Sequence, residues 1–158
     1  MTAQPASFVD HEAPGEAMTL RLRHDHVALR VVDYDAAIDW YTTKLDFTVD
    51  QQWPYGDMKL AYLSNGTVKV EILGASEAEP QIPPTDLADT FGSERIHHFC
   101  IAVDDLDATV EELRRRDVSF LGEPFVVEQI GRRLVFLTDN DGNMIELSAP
   151  KEGTHNDR

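Results

Sequence analysis

An α+β fold made of two tandem βαβββ units that together form a half-barrel cleft is what this sequence predicts. Three observations carry it. HVALRVVDYD at 26–35 returns as HFCIAVDDLD at 98–107, so His26 matches His98, Val31 matches Val103, Asp33 matches Asp105 and Asp35 matches Asp107, 72 positions apart throughout. A second echo follows, because TVKVEIL carries Glu71 and GNMIELS carries Glu146, 75 positions apart. Finally, a four-stranded sheet with a single helix covers only one of its faces, so neither repeat can stand alone and the two must pair through the remaining faces.

The elements follow in order. Leu22 to Val32 alternates, with Val27, Leu29 and Val31 on one face and His26, Ala28 and Arg30 on the other, which predicts a strand. Asp33 or Asp35 caps a helix whose Ala37, Ile38, Tyr41 and Leu45 recur at helical spacing. Phe47 to Trp53 reads as a strand, Pro54-Tyr55-Gly56-Asp57 as a turn, and Met58 to Leu63 as the next strand. Asn65-Gly66 is a hairpin signal into Thr67 to Leu73. Prolines 80, 83 and 84 then interrupt any pattern, which predicts a linker with one short helical turn near Leu87 to Phe91. The second unit repeats the order: strand Ile96 to Val103, a cap at Asp105 or Asp107, helix Ala108 to Arg116, a bent strand Val118 to Val127, and strand Arg132 to Thr138. Asp139-Asn140-Asp141-Gly142 turns into the last strand, Met144 to Ser148. The chain divides into a loose arm at 1–20, a first unit at 21–75, a linker at 76–94, a second unit at 95–150 and a polar tail at 151–158.

Composition excludes several function classes. The 158 residues carry a formal charge of −15, which repels phosphate backbones and anionic membrane surfaces, so neither nucleic acid nor membrane is an expected partner. No apolar run reaches the roughly 18 residues that span a bilayer, and residues 1–20 have no basic start or apolar segment of a signal peptide. The single cysteine, Cys100, rules out an internal disulfide and fits a reducing compartment, with cytoplasm expected.

Strand alternation then selects the chemistry. In the first strand of each unit the apolar faces, Val27-Leu29-Val31 and Phe99-Ile101-Val103, suit packing under the helix. His26 and His98 lie on the faces that the core does not use. In the last strands Val68-Val70-Ile72 and Ile145-Leu147 are apolar, which leaves Glu71 and Glu146 on the same side as the histidines. A lone strand histidine is usually a satisfied structural residue, and a lone glutamate is usually just solvated. Repetition of both residue types at matching points of two halves is what argues otherwise. Two imidazoles and two carboxylates converging in a cleft suit a divalent metal with positions left open for a small-molecule substrate.

The surrounding residues are read in the same way. Arg30, and Arg132 of the Arg132-Arg133 pair, are candidates to hold an anionic substrate group. His97 has the opposite parity to His98 and is taken as structural, and His24 as too near the strand entrance to ligate. Cys100 is a small wall residue. Trp53, Tyr55 and Tyr62 are candidates for an apolar lining, and Lys69 for an ion pair at the mouth.

HVALRVVDYDAAIDWYTTKLDF, HHFCIAVDDLDATVEELRRR and DNDGNMIEL resemble the vicinal oxygen chelate superfamily, also called the glyoxalase, bleomycin-resistance and dioxygenase superfamily, over residues 22–150. The closest motifs are those of glyoxalase I-like and methylmalonyl-CoA epimerase-like members. The resemblance implies one divalent metal ion per site, Ni, Co, Zn, Fe or Mn, with His26, Glu71, His98 and Glu146 as its ligands. It also implies a homodimer in which the two units pair either within one chain or between chains. The implied activity is that of a metal-dependent lyase or isomerase, which removes a proton next to a metal-bound carbonyl through an enolate or enediolate. Glu146 is the expected base, with Glu71 its partner. Arg30 matches the family arginine that meets the anionic end of glutathione. Two departures are visible: no asparagine stands near Ala75, and Gln51 or Gln52 occupies the place of the epimerases' additional second-strand glutamate. Alternative readings are an Fe(II)-dependent dioxygenase of the same fold and a non-catalytic protein that sequesters an antibiotic or another small molecule.

Overall fold

A computed structural model describes residues 20–75, 77, 79–92 and 95–151. Apart from Leu20 and Lys151, the expected arm and tail lie outside the described residues. The first unit consists of β1 (Val27–Val31), α1 (Tyr34–Lys44), β2 (Thr48–Tyr55), β3 (Met58–Asn65) and β4 (Val68–Gly74). After a 3-10 turn at Ala88–Gly92 comes the second, with β5 (Phe99–Ala102), α2 (Leu106–Arg115), β6 (Phe125–Val127), β7 (Arg132–Thr138) and β8 (Met144–Pro150). Each unit forms its own sheet, in the orders β1-β4-β3-β2 and β5-β8-β7-β6. The outer strand β1 runs parallel to β4, and β5 parallel to β8, while all other neighbours are antiparallel. The α+β pair of βαβββ units is therefore found, and the half-barrel is present as two open sheets rather than one continuous surface.

Local chemistry explains the boundaries. Of the alternative caps, Asp33 and Asp105 are used; their side chains accept from the backbone N–H of Ala36 and Ala108, each at 3.0 Å. Asp35 and Asp107 instead sit in the first turns, where a negative charge favours the helix dipole. β2 continues through Pro54, which an outer strand tolerates because one edge of it needs no donor. The bent strand expected from Val118 is shorter. Only Phe125–Val127 pairs continuously, with an isolated bridge between Phe120 and Leu137, because Gly122 at φ 104° and Pro124 interrupt the ladder. β1 and β5 also start later than expected, at the Val27–Val70 and Phe99–Ile145 pairings.

The apolar faces of both sheets and the inner faces of both helices share one core. Leu29, Val31, Val70, Ile72, Ala37 and Tyr41 of the first unit join Val110, Leu113, Val135, Leu137, Ile145 and Leu147 of the second. Along β1 exposure alternates as the pleat requires, with Leu29 and Val31 buried and Ala28 and Arg30 exposed. The units thus meet through their helix-bearing sides, and the faces that carry His26 and His98 point away from that junction.

A polar clasp sits inside it. The fully buried Tyr41 donates its hydroxyl to Asp139 Oδ2 at 2.9 Å. Asp139 also accepts from Asn143 N–H (2.8 Å), Asn143 Nδ2 (2.9 Å) and Asp141 N–H (3.0 Å), which closes the β7–β8 turn. Burial pushes the Asp139 carboxyl above its ordinary range, and these four donors oppose that shift. At the far end of the helices, Arg116 donates to the Lys44 carbonyl at 3.1 Å and pairs with Asp46 at 2.8 Å.

Two substitutions test this packing. Tyr41→Phe removes a bond to a buried carboxylate and is expected to cost about 1–3 kcal/mol, read from the urea midpoint. Gly74→Ala places a Cβ 2.6 Å from Tyr34 Cβ, where β4 meets the start of α1. Neither atom is the free end of a side chain, so the backbone must move, and a loss of about 1–3 kcal/mol is expected in the same measurement.

Candidate functional site

Each unit places a histidine beside a glutamate on the open face of its sheet. In the first, the parallel pairing of β1 with β4 sets Ala28 opposite Glu71, and His26, two residues before Ala28, leans onto the same carboxylate. His26 Nε2 lies 3.2 Å from Glu71 Oε2, with the glutamate side chain 14% exposed. The other ring nitrogen, Nδ1, meets Asp25 Oδ2 at 2.7 Å. That hydrogen bond, followed by the charge of Lys69, holds the Asp25 carboxyl below its ordinary value. Tyr62, across from Glu71 on β3, supplies an aromatic wall 5.2 Å from the His26 ring, and Trp53 stands 4.8 Å behind it.

The second unit repeats this geometry. Cys100 is opposite Glu146, and His98 Nε2 lies 3.1 Å from Glu146 Oε2, whose side chain is 13% exposed. Phe136 takes the place of Tyr62, opposite Glu146 and 5.2 Å from the His98 ring. The backing of the histidine differs, however. His98 Nδ1 meets His97 Nδ1 at 2.8 Å, and His97 Nε2 meets Thr90 Oγ1 at 2.7 Å. Partial burial, then the charges of His98 and Arg95, hold the His97 pKa below its ordinary value. Cys100 Sγ donates to Glu146 Oε1 at 3.2 Å. Withdrawal of the sulfur from solvent, then the bond to Glu146 and its charge, push the thiol up to about 12.

The two expected substrate arginines have different surroundings. Arg30 projects from the open face of β1 toward Met58 Sδ at 3.9 Å. It borders a cavity of about 280 Å³ shared with Val32, Glu79, Gln81 and Asp141. Arg132 donates to Ser148 Oγ at 2.8 Å and to the Ser148 carbonyl at 3.3 Å, on the face that carries Glu146. Arg133 turns the other way and makes a two-point bond to Asp107, both at 2.7 Å. Tyr55 is 68% exposed.

The structure brings His26 to Glu71 and His98 to Glu146, and it does not bring the two pairs together. Among the described residues no group of three or more His, Cys, Asp or Glu side chains converges on one point. A larger cavity of about 660 Å³ lies between the units, bordered by Phe47, Val68, Ile101, Val103, Glu112 and Arg116, and it contains none of the four. A half-site offers one imidazole and one carboxylate, a donor set suited to borderline divalent metals but two short of a closed tetrahedron. The sequence reading missed Asp25, Thr90 and Phe136. Phe136 had a signal, since it follows Tyr62 by 74 positions, between the 72 of the histidines and the 75 of the glutamates.

A family model described as the Glyoxalase/Bleomycin resistance protein/Dioxygenase superfamily matches residues 23–147. Among curated proteins the chain is similar to the mitochondrial methylmalonyl-CoA epimerase of Bos taurus, with 27% identity over 146 residues, covering 90% of this chain and 82% of that protein. It is also similar to the Homo sapiens epimerase, at 27% over 129 residues, covering 79% and 72%. Among solved structures, a glyoxylase/bleomycin resistance protein/dioxygenase domain from Frankia sp. superposes with a TM-score of 0.70 at 18% identity, covering 86% of this chain and 97% of that one. A glyoxalase I mutant from Zea mays superposes at 0.63 with 24% identity, covering 81% of this chain and 47% of the maize chain. At those identities the structural matches speak for the fold alone. With the model spanning both repeats, the chain belongs to the glyoxalase/bleomycin resistance protein/dioxygenase superfamily.

Proposed function

We propose that this chain is a divalent-metal-dependent enzyme that moves a proton at a carbon next to a carbonyl, in the manner of an epimerase or glyoxalase. The observation that carries the reading is the twin His–Glu pair, at 3.2 and 3.1 Å, with its glutamates at nearly equal exposure. Structural histidines rarely recur in duplicate, each beside a partly desolvated carboxylate on the face that the core leaves free.

One chain presents two half-sites, so the complete set of His26, Glu71, His98 and Glu146 needs a second copy. Two of the four outer strands favour that arrangement. Among the described residues β1 and β5 each have one unpaired edge beside a His–Glu pair, and an open edge is where another strand adds. Pairing β1 of one copy with β5 of the next would join the first half-site of one chain to the second half-site of the other.

A divalent ion held by these four donors would act as a Lewis acid on a substrate oxygen and make the neighbouring C–H more acidic. Glu146, loosened from the ion when substrate binds, would serve as the base that takes the proton, with Glu71 its partner from the complementary half. Two carboxylates on opposite sides of one carbon allow removal from one face and return to the other, which is what an epimerase requires. Gln51 and Gln52 cannot accept the proton, so that duty falls on the paired glutamates. Arg30 and Arg132 hold an anionic end of the substrate, while Tyr62 and Phe136 keep water from the reacting carbon. The similarity to methylmalonyl-CoA epimerases supports an acyl-CoA thioester bearing a carboxylate as the first substrate class to try.

The test joins stoichiometry to chemistry. Metal content by mass spectrometry and mass by light scattering are expected to give a dimer with about one divalent ion per chain, largely lost in His98→Ala. Glu146→Gln should slow exchange of the substrate α-proton with D₂O by roughly 10²- to 10⁴-fold. Protein that takes up none of Ni, Co, Zn, Fe or Mn would overturn the reading. So would α-proton exchange that Glu146→Gln leaves unchanged.

Cys100 stands against Glu146 without sharing its role. With its pKa at about 12, the thiol stays protonated at neutral pH, and lower thiolate fraction outweighs the gain in intrinsic nucleophilicity. Alkylation of the metal-free protein by iodoacetamide at pH 8 is expected to run roughly 30-fold slower than that of an ordinary thiol.

A further inference from the structure

Thr90 lies in the 3-10 turn of the linker and is 1% exposed. Its oxygen stands 2.6 Å from the Leu87 carbonyl oxygen and 2.7 Å from His97 Nε2. A hydroxyl has one proton, and a carbonyl can only accept. Two oxygens 2.6 Å apart must have a proton between them, so the Thr90 proton is committed to Leu87. The Thr90 oxygen is then an acceptor, and the proton in its contact with His97 belongs to Nε2 of the ring. In neutral His97 this leaves Nδ1 as a bare lone pair. The contact between His97 Nδ1 and His98 Nδ1 at 2.8 Å needs one proton, which His98 must supply. Neutral His98 with its proton on Nδ1 carries its lone pair on Nε2, so its 3.1 Å approach to Glu146 is not a hydrogen bond donated by the ring and leaves both atoms as acceptors for a cation or for a proton on Glu146.

We infer that Leu87, Thr90 and His97 form a relay from the linker that fixes the tautomer of His98 and turns its bare Nε2 into the site. The inference rests on the metal-site reading proposed above and adds two positioning residues, Thr90 and His97, to it. The first unit reaches the same end by a shorter route, since the Asp25 carboxylate accepts from His26 Nδ1 at 2.7 Å and leaves Nε2 toward Glu71. Second contacts of this kind hold a ligating imidazole in one tautomer and one orientation. The His97 ring is itself held in place, stacked on Phe91 at 5.1 Å and edge-on to Phe136 at 6.4 Å.

The experiment is two-bond ¹H–¹⁵N correlation NMR of the histidine rings in full-length, metal-free protein, about two units above the ordinary histidine pKa. Wild type is expected to show His97 protonated at Nε2. Thr90→Val, which keeps the shape and removes the acceptor, should give a mixture of tautomers, and Thr90→Ser should restore the single form. Zinc affinity by calorimetry should fall roughly 10- to 100-fold in Thr90→Val and recover in Thr90→Ser. A Thr90 that only secures the linker would lower stability while leaving the tautomers alone. Wild-type His97 protonated at Nδ1, or a Thr90→Val spectrum with the single wild-type tautomer, would overturn the relay. Correct tautomers in a wild type that binds no zinc would uphold the relay and sink the metal reading instead.

Discussion

A pleated strand gives every side chain one of two destinations, and in this protein the common core has first claim. Leu29, Val31, Val70 and Ile72 from one sheet, with Val135, Leu137, Ile145 and Leu147 from the other, all turn toward the two helices and are almost wholly buried. Each of these residues commits its sequence neighbours to the opposite face. His26, Glu71, His98 and Glu146 are therefore placed by the apolar residues beside them as much as by their own chemistry. Shifting any of the four strands by one residue would carry a ligand candidate into hydrocarbon and a valine or isoleucine into water.

This dependence explains what could be read from the chain in advance. Period-two alternation and the 72-residue repeat sufficed for both βαβββ units, for the capping aspartates as one of two choices each, and for the face on which each histidine and glutamate lies. They also put His98 on the face that carries Glu146. Long-range partners were beyond such reasoning. Nothing in the local pattern marks Tyr41 and Asp139 as partners, because a buried hydroxyl and a turn aspartate are each unremarkable alone. Nor does alternation say which sides of two sheets meet. The expectation of a single cleft took the helix-bearing faces as covered and the others as paired, whereas the helices are what the two units share. The shortened β6 had a legible cause in Gly122 and Pro124, which break the ladder.

The two halves are alike where they face the open side and differ behind it. Each has a histidine, a glutamate and a lateral aromatic ring in the same register. Behind His26 stands a charged carboxylate, and behind His98 a neutral chain that ends on a backbone carbonyl. A carboxylate partner raises the basicity of an imidazole more than a neutral one does. At the proposed site the two Nε2 atoms would accordingly be unequal donors despite their matched geometry, and the inequality originates behind the rings, in Asp25 on one side and the linker turn on the other.

The Tyr41–Asp139 clasp also orders events in time. Its partners are separated by 98 positions, so during synthesis α1 emerges long before the group that satisfies its buried hydroxyl. Until the β7–β8 turn leaves the ribosome, the first unit has its strands and helix but not the apolar cover of the second. Such a contact is slow to form, because a long loop must close before it returns any stabilisation. The amino-terminal half is thus obliged to wait, exposed and incomplete, until all the residues that separate the two partners have been made, which is when a nascent protein most needs shelter from its neighbours.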